Sequence, residues 1–244
     1  MARTDVQTTE IPRKTAFLFF LADTSGSMSG TRIGAVNSAI EEVLVKIKEM
    51  NDTSADAIVE IAILTFGAGV QWLTPNGPIK PENYYFNYLD ASGLTPMGEA
   101  FRQLEEKLHQ SSGFMQRASG SYAPVIFLMS DGEPNDNWES NLALLKQNKW
   151  FQTSAKVALA VCDDVTANTP VFEMFTGTKE AIVHISERDV ASKLAKMISF
   201  IAIRSSQVAS TPLDASGTTA QDNINTIIAD AKSDDDWDLS GDGW

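Results

Sequence analysis

The feature that most limits the fold of this sequence is an apolar segment that ends abruptly in a carboxylate, two hydroxyls and glycines. The segment Phe17–Ala22 is apolar at every position and is too short to cross a membrane. A strand that is apolar on both faces is typical of the centre of a parallel sheet covered by helices. Asp23, Ser25 and Ser27 follow it at two-residue spacing. The sequence therefore predicts a buried strand with a polar turn at its carboxyl end.

Strand and helix patterns alternate over most of the chain. Helix patterns cover residues 32–49 and a segment with Thr95 as its cap and Pro96 at its first position. One further helix is predicted from Trp138 through Leu142 and Leu145 to Trp150, and others are predicted over Pro170–Phe175 and over Val190–Ile203. Strands are predicted at Ala16–Ala22, Ala57–Phe66, Val70–Leu73, Pro124–Ser130, Lys156–Cys162 and Ala181–Ile185. This alternation predicts a Rossmann-like α/β fold with a central, mostly parallel sheet and helices on both faces.

The glycine turn at residues 67–69 predicts a hairpin, so that Val70–Leu73 forms a short antiparallel edge strand. Residues 75–90 are predicted to be mostly loop, with Tyr84, Tyr85, Phe86 and Tyr88 packing it down.

The two ends of the chain differ from this predicted domain. Residues 1–14 are polar and are interpreted as a flexible leader, and the domain extends over residues 15–204. Residues 205–244 form an acidic tail that carries −7 of the net charge of −13, and we expect it to be disordered until something holds it. Within the tail, apolar residues follow a possible Asp222 cap at helical spacing: Ile224, Ile227, Ile228 and Ala231. They predict a two-turn amphipathic helix that is too short to be stable alone.

The composition excludes several classes of function. A net charge of −13 makes nucleic acid and anionic membrane surfaces poor partners. The single cysteine, Cys162, rules out an intramolecular disulfide and so a secreted fold held by disulfides. The apolar segment after the polar leader is shorter than a signal peptide requires. We therefore expect a soluble, cytoplasmic protein.

Polar residues at the ends of distant segments can meet in such a fold. The loops at the carboxyl ends of parallel strands converge in one crevice, so five side chains can surround one ion: Asp23, Ser25, Ser27, Thr95 and Asp131. Carboxylate and hydroxyl oxygens suit Mg²⁺, and Mn²⁺ or Ca²⁺ are alternatives. Because the hydroxyls are neutral, the ion would keep residual positive charge and an exchangeable position. Such a site is suited to accept a carboxylate from another molecule.

These residues resemble the metal-ion-dependent adhesion site (MIDAS) of the von Willebrand factor A (vWA) family, which uses Asp-x-Ser-x-Ser, a Thr and a later Asp. The resemblance covers roughly residues 15–204. It implies that Ser25, Ser27 and Thr95 bind the metal directly, while Asp23 and Asp131 hold metal-bound waters. It also implies that a protein partner supplies an Asp or Glu to the open position of the metal.

Three longer segments are similar to the bacterial TerY and YegL branch of this family. They are residues 22–30, 94–101 and 128–136. Members of that branch are associated with tellurite resistance and stress systems, and they accompany a PP2C-type phosphatase and a serine/threonine kinase. The resemblance implies partners of those two kinds. Leu94 differs from the branch, which often has a glycine there.

Other interpretations of the same residues remain open. The turn after Asp23 could be a hydroxyl-rich helix cap without a metal, and Thr95 alone could be only a cap. A Mg²⁺-dependent phosphatase of the haloacid-dehalogenase kind has a similar topology, but it needs a second Asp where this chain has Ser25. A self-assembling structural subunit could use its acidic tail to occupy a neighbour's metal site. The sequence favours a non-enzymatic, Mg²⁺-dependent protein-binding module over both.

Overall fold

The computed structural model describes residues 13–54, 57–118, 121–132, 134–161, 169–185 and 219–233. The predicted helix Val190–Ile203, Cys162 and nearly all of the predicted leader lie outside these ranges. No helix within the described ranges is long and apolar enough to cross a lipid bilayer.

The centre of the fold is a six-stranded sheet in the order β3-β2-β1-β4-β5-β6. Its strands are β1 (Lys14–Asp23), β2 (Ala57–Phe66), β3 (Val70–Trp72), β4 (Val125–Ser130), β5 (Ala155–Val161) and β6 (Ile182–Ile185). Neighbouring strands are parallel except β3, which is antiparallel to β2. The predicted Rossmann-like fold, with one short antiparallel edge strand, is confirmed.

Helices cover both faces of this sheet. They are α1 (Thr31–Thr53), α2 (Met97–Lys107), α3 (Trp138–Leu145), α4 (Lys149–Thr153), α5 (Thr169–Thr176) and α6 (Ala220–Ser233). On one face, Leu18 and Phe20 of β1 belong to a core shared with α1 and α6. On the other face, Phe19 and Leu21 belong to a core shared with α2, α3, α4 and α5. Both faces of β1 are therefore buried, which is why the strand is apolar at every position.

A single helix predicted from Trp138 to Trp150 is wrong, because the structure has two helices there. The first ends at Leu145 and the second begins at Lys149. Between them, the Asn148 side-chain oxygen accepts hydrogen bonds from the backbone N–H groups of Trp150 at 2.9 Å and Phe151 at 3.4 Å. These bonds cap a new helix start, so the chain turns before it continues.

The expectation of a disordered tail is corrected for the segment that forms α6. Ile224 and Ile228 are 1% and 2% exposed and pack into the same core as α1. The Gln221 side chain accepts a hydrogen bond from the backbone N–H of Lys156 at 2.9 Å and donates one to its carbonyl at 3.0 Å. The partner that holds this part of the tail is therefore strand β5 of the protein's own sheet.

The aromatic loop between β3 and α2 packs down only in part. Tyr84 and Phe86 are partly buried against the α1 face. Tyr85 and Tyr88 are 83% and 63% exposed, so the expectation that all four rings pack inward is wrong for these two. The Tyr88 hydroxyl donates a hydrogen bond of 2.7 Å to Glu41 on α1.

Candidate metal centre

The predicted site lies where the strand order of the sheet reverses. Strands β1 and β4 are neighbours in the middle of the sheet, and Ala22 pairs with Met129 in their register. Asp23 therefore lies beside Ser130, and Asp131 follows directly. In open α/β sheets, ligands bind in the crevice at the carboxyl ends of the strands at such a position.

Asp23 is a fully buried carboxylate at the end of β1. One of its oxygens accepts a hydrogen bond from the backbone N–H of Ser25 at 2.7 Å, and the other accepts one from the Ser130 hydroxyl at 2.5 Å. Burial raises the pKa of the Asp23 carboxyl above its ordinary value, although these hydrogen bonds act in the opposite direction and nearby Asp131 adds to the rise. A cation placed here would offset the cost of burying the negative charge of Asp23, and it would reduce the repulsion between the two carboxylates.

The two serines connect Asp23 to Asp131. The hydroxyl oxygens of Ser25 and Ser27 are 3.0 Å apart, and Ser27 donates to an oxygen of Asp131 at 2.8 Å. The other oxygen of Asp131 forms an ion pair with Arg32. Sequence analysis missed Arg32. A usable signal was its place in the first turn of α1, where the helix dipole disfavours a cation unless another group holds it.

Thr95 lies at this site but does not cap α2, so its predicted role as a cap is wrong. The helix begins at Met97, and the Asp136 carboxylate accepts from the backbone N–H groups of Gly98 at 2.8 Å and Glu99 at 2.9 Å. A charged carboxylate therefore does the capping from another loop. The Thr95 hydroxyl instead lies beside Gly132, as the Ser27 hydroxyl does: a Cβ atom built on Gly132 would be 3.5 Å from the Ser27 hydroxyl oxygen and 3.7 Å from that of Thr95.

The loop after β4 also fixes the backbone of Thr95. The Asn135 side-chain amide, in the orientation that satisfies both of its groups, donates to the Thr95 carbonyl at 3.1 Å and accepts from its N–H at 2.9 Å. The backbone N–H of Asn135 donates to the same carbonyl at 3.2 Å. We call residues 135 and 136 the Asn–Asp clamp. Sequence analysis missed the contacts of this clamp. Asn and Asp just ahead of α3 are typical caps of that helix, and their positions alone do not indicate bonds to Thr95 and α2.

The structure thus brings together all five residues predicted for the metal, and their chemistry fits a hard cation. A serine that binds a cation through its oxygen keeps its proton and needs an acceptor, which Ser27 finds in Asp131. Within the described part of the chain, no group of three or more Asp, Glu, His or Cys side chains could hold a metal. The candidate is therefore a hydroxyl-rich oxygen site of the kind that suits Mg²⁺ or Mn²⁺.

The topology and the strand-end site define the class of protein as a doubly wound α/β domain with a polar crevice at its switch point. The family model for the von Willebrand factor type A domain matches residues 18–162, and the chain belongs to this family. A comparison with curated proteins gave no match.

Several solved structures share this fold. The pilus adhesin SpaC from Lactobacillus rhamnosus GG has a TM-score of 0.56 and 16% identity, covering 78% of this chain and 31% of its own. Proximal thread matrix protein 1 from the mussel byssus, with a zinc-occupied MIDAS motif, has a TM-score of 0.55 and 15% identity, covering 78% and 48%. The manganese-loaded Plasmodium vivax TRAP protein has a TM-score of 0.51 and 16% identity, covering 76% and 74%. The chain therefore spans half or less of the first two proteins, and identities this low show the fold alone.

Proposed function

We propose that this protein is a non-enzymatic, Mg²⁺-dependent module that binds a protein partner through an acidic side chain. The observation that carries the proposal is the convergence of two carboxylates and three hydroxyls at the switch point of the sheet. Ser25, Ser27 and Thr95 would hold the ion, and Asp23 and Asp131 would hold its waters. The bound ion would supply positive charge and an open position for an Asp or Glu of the partner.

The chain's own residues would prepare this site for binding. Ser130 and the backbone of Ser25 fix the Asp23 carboxylate from both sides. Asp131 accepts a hydrogen bond from the Ser27 hydroxyl, which leaves the lone pairs of that hydroxyl oxygen free to face a metal. The Asn–Asp clamp holds the segment that bears Thr95. Groups fixed in this way lose little freedom when they bind, which favours affinity.

The surroundings of Asp23 favour a binding module over a hydrolase. A haloacid-dehalogenase phosphatase would use this strand-end aspartate as its nucleophile. Here Asp23 is 0% exposed, and both of its oxygens accept hydrogen bonds from the protein. A carboxylate engaged in this way is poorly placed to attack a phosphorus atom.

The finer context of the proposal rests on sequence similarity. Residues 22–30, 94–101 and 128–136 are similar to the bacterial TerY-like branch. We therefore place the module in the bacterial cytoplasm, in a stress or tellurite-resistance system with a PP2C-type phosphatase and a serine/threonine kinase as partners. Among metals, Mg²⁺ is proposed for the cell, with Mn²⁺ or Ca²⁺ as substitutes.

The first test is affinity purification from the native host with and without EDTA. The baits are the wild type, Asp23→Ala and Thr95→Ala. Asp52→Ala and Thr53→Ala are matched controls, because both residues are exposed at the far end of α1, about 30 Å along that helix from Arg32. Proteins retained with metal by the wild type and the controls, and lost from the two site variants, would support the proposal. Equal recovery in every sample would contradict it.

Two further measurements separate the alternatives. Turnover of a generic phosphomonoester with Mg²⁺ that is lost in Asp23→Ala would replace the binding module with a phosphatase. Oligomers that grow with protein concentration in light scattering, and that disappear when only the acidic residues 234–244 are removed so that α6 is kept, would indicate a structural subunit that assembles through its tail.

A further inference from the structure

Arg32 lies at the edge of the candidate metal centre, in the first turn of α1. Its guanidinium forms an ion pair with Asp131 and donates a hydrogen bond of 3.3 Å to the Ser27 carbonyl. The Asp131 side chain is 1% exposed, whereas the Arg32 side chain is 25% exposed. The guanidinium therefore contacts a buried group of the site, while the Arg32 side chain is itself partly exposed to solvent.

The charges at the site add up differently with and without this arginine. Asp23 and Asp131 together carry two negative charges when ionised, which a divalent ion would neutralise. Arg32 adds one positive charge in direct contact with Asp131. With Arg32 present, the metal-loaded site therefore carries one positive charge more than it would without this residue, and it attracts a partner's carboxylate more strongly.

The same charge acts against the metal. A guanidinium paired with one of the two carboxylates repels an incoming cation and weakens the field that attracts it. A site without the arginine would bind the metal more tightly. Once loaded, it would carry one positive charge fewer and would attract a carboxylate less.

We propose that Arg32 is a specificity-determining residue that lowers the metal affinity of the site and raises the affinity of the loaded site for a partner's carboxylate. This inference rests on the proposed function, since it assumes that the five oxygen-bearing side chains bind a metal. It predicts effects of opposite sign on two binding equilibria. A merely structural role of Arg32 would weaken both.

The test compares Arg32→Gln with the wild type in two titrations. Mn²⁺ alone is titrated by calorimetry, with electron paramagnetic resonance as a second readout. Acetate is then titrated into the Mn²⁺-loaded protein, and the relaxation of its methyl protons reports binding next to the metal. We expect Arg32→Gln to bind Mn²⁺ about three- to tenfold more tightly and acetate more weakly by a similar factor.

Two variants serve as controls. Lys46→Gln removes the same charge from the same helix, at a lysine that pairs with Glu42 about 20 Å from Arg32, and should match the wild type in both titrations. Arg32→Lys keeps the charge and should stay closer to the wild type than Arg32→Gln does. Circular dichroism checks that each variant is folded.

The outcomes distinguish this inference from the proposed function. Weaker or unchanged Mn²⁺ binding by folded Arg32→Gln would overturn the role of Arg32 and leave the metal site intact. Tighter Mn²⁺ binding with undiminished acetate binding would also overturn it. A wild type that binds no Mn²⁺ would overturn both proposals together.

Discussion

At the scale of single residues, Asp23 is the group whose state depends most on a metal. It is fully buried near a second carboxylate, and burial is the main cause of its raised pKa. Without a cation, the folded protein must keep this charge away from water or bind a proton. The metal-free fold therefore bears a cost that depends on pH.

The sign of that dependence follows from the direction of the pKa shift. The folded pKa of Asp23 lies above the ordinary value of 3.8, so the folded protein holds a proton at pH values where the unfolded chain has lost it. The contribution of Asp23 to stability is therefore largest below the ordinary pKa and falls as the pH rises through the raised one. Asp23→Asn stays neutral and lacks this loss.

We compare the melting temperatures of metal-free Asp23→Asn and the metal-free wild type at each pH. The difference between them should shift in favour of Asp23→Asn by a few degrees as the pH rises from about 4 to about 7. Thermal melts in EDTA across this range provide the measurement. Asp52→Asn, at an exposed position, controls for the loss of a carboxylate and should give a smaller change. A difference between Asp23→Asn and wild type that does not vary with pH would show that the proton affinity of Asp23 is the same in both states.

At the scale of structural elements, the Asn–Asp clamp joins the loop after β4 to the start of α2. The approach is close: a Cβ atom on Gly98 would lie 2.7 Å from the Trp138 Cα and 2.9 Å from an Asp136 oxygen. A side chain at residue 98 would push the two helix starts apart. The loop that bears Asp131 and the segment that bears Thr95 are thus held as one unit.

Removal of the clamp should affect both stability and metal binding. Asp136→Ala leaves the N–H groups of Gly98 and Glu99 without their acceptor, so we expect a loss of about 1–2 kcal/mol in the free energy of unfolding. Because Thr95 is held by the adjacent Asn135, Mn²⁺ affinity should fall as well. Urea denaturation and calorimetry measure the two effects.

Asp136→Asn is the conservative control, since it keeps one acceptor oxygen and should recover part of both losses. If folded Asp136→Ala lost stability but bound Mn²⁺ as tightly as the wild type, the clamp would be a helix cap without influence on the site.

Helix α6 is the second element whose role can be tested. Ile228 is 2% exposed in the core shared with α1, so Ile228→Ala should cost about 2–5 kcal/mol. Gln221→Ala should speed hydrogen exchange at the Lys156 amide, which loses its acceptor. Thr226→Ala, at an exposed position of the same helix, should change neither quantity by much. Stability unchanged by Ile228→Ala would contradict the docking of this helix.

At the scale of the whole molecule, the sequence predicts the sheet well because its strands are buried on both faces. A short, continuous apolar segment such as Phe17–Ala22 is best accommodated as a buried central strand. The polar residues that end such strands mark one edge of the sheet. Four of the five residues predicted for the metal come together because parallel strands align their carboxyl ends, and Asn135 of the Asn–Asp clamp adds Thr95 to them. Their role as metal ligands stays a prediction.

Contacts between distant segments were harder to predict. Asp136 caps a helix that begins 39 residues earlier in the chain, and local propensity alone assigned that cap to Thr95. The helix pattern of α6 was visible, but amphipathic spacing does not say which surface will cover it. Arg32 belongs to the candidate site only because it pairs with Asp131, which lies 99 residues away in the chain. Sequence patterns report local preferences, whereas these features depend on the assembled fold.

A metal bound at the strand-end site should stabilise the whole fold. An ion that binds the folded state alone stabilises it by about 2.7 kcal/mol at a concentration 100 times its dissociation constant. For a protein of this size, that corresponds to a rise of roughly 5–10 °C in melting temperature. Mg²⁺ and Mn²⁺ should therefore raise the melting temperature of the wild type in proportion to the logarithm of their concentration, and EDTA should reverse the rise.

The site variants make this response specific. Thr95→Ala and Asp23→Ala should lose most of the rise, whereas Thr53→Ala should retain it, because Thr53 lies at the opposite end of α1 from the site. Hydrogen exchange should slow on metal binding in the loops after β1 and β4 and just ahead of α2, since these carry the five predicted residues. Equal stabilisation of wild type and Thr95→Ala by Mg²⁺ would mean that the ion binds elsewhere, for example along the acidic tail, and that the strand-end site does not hold it.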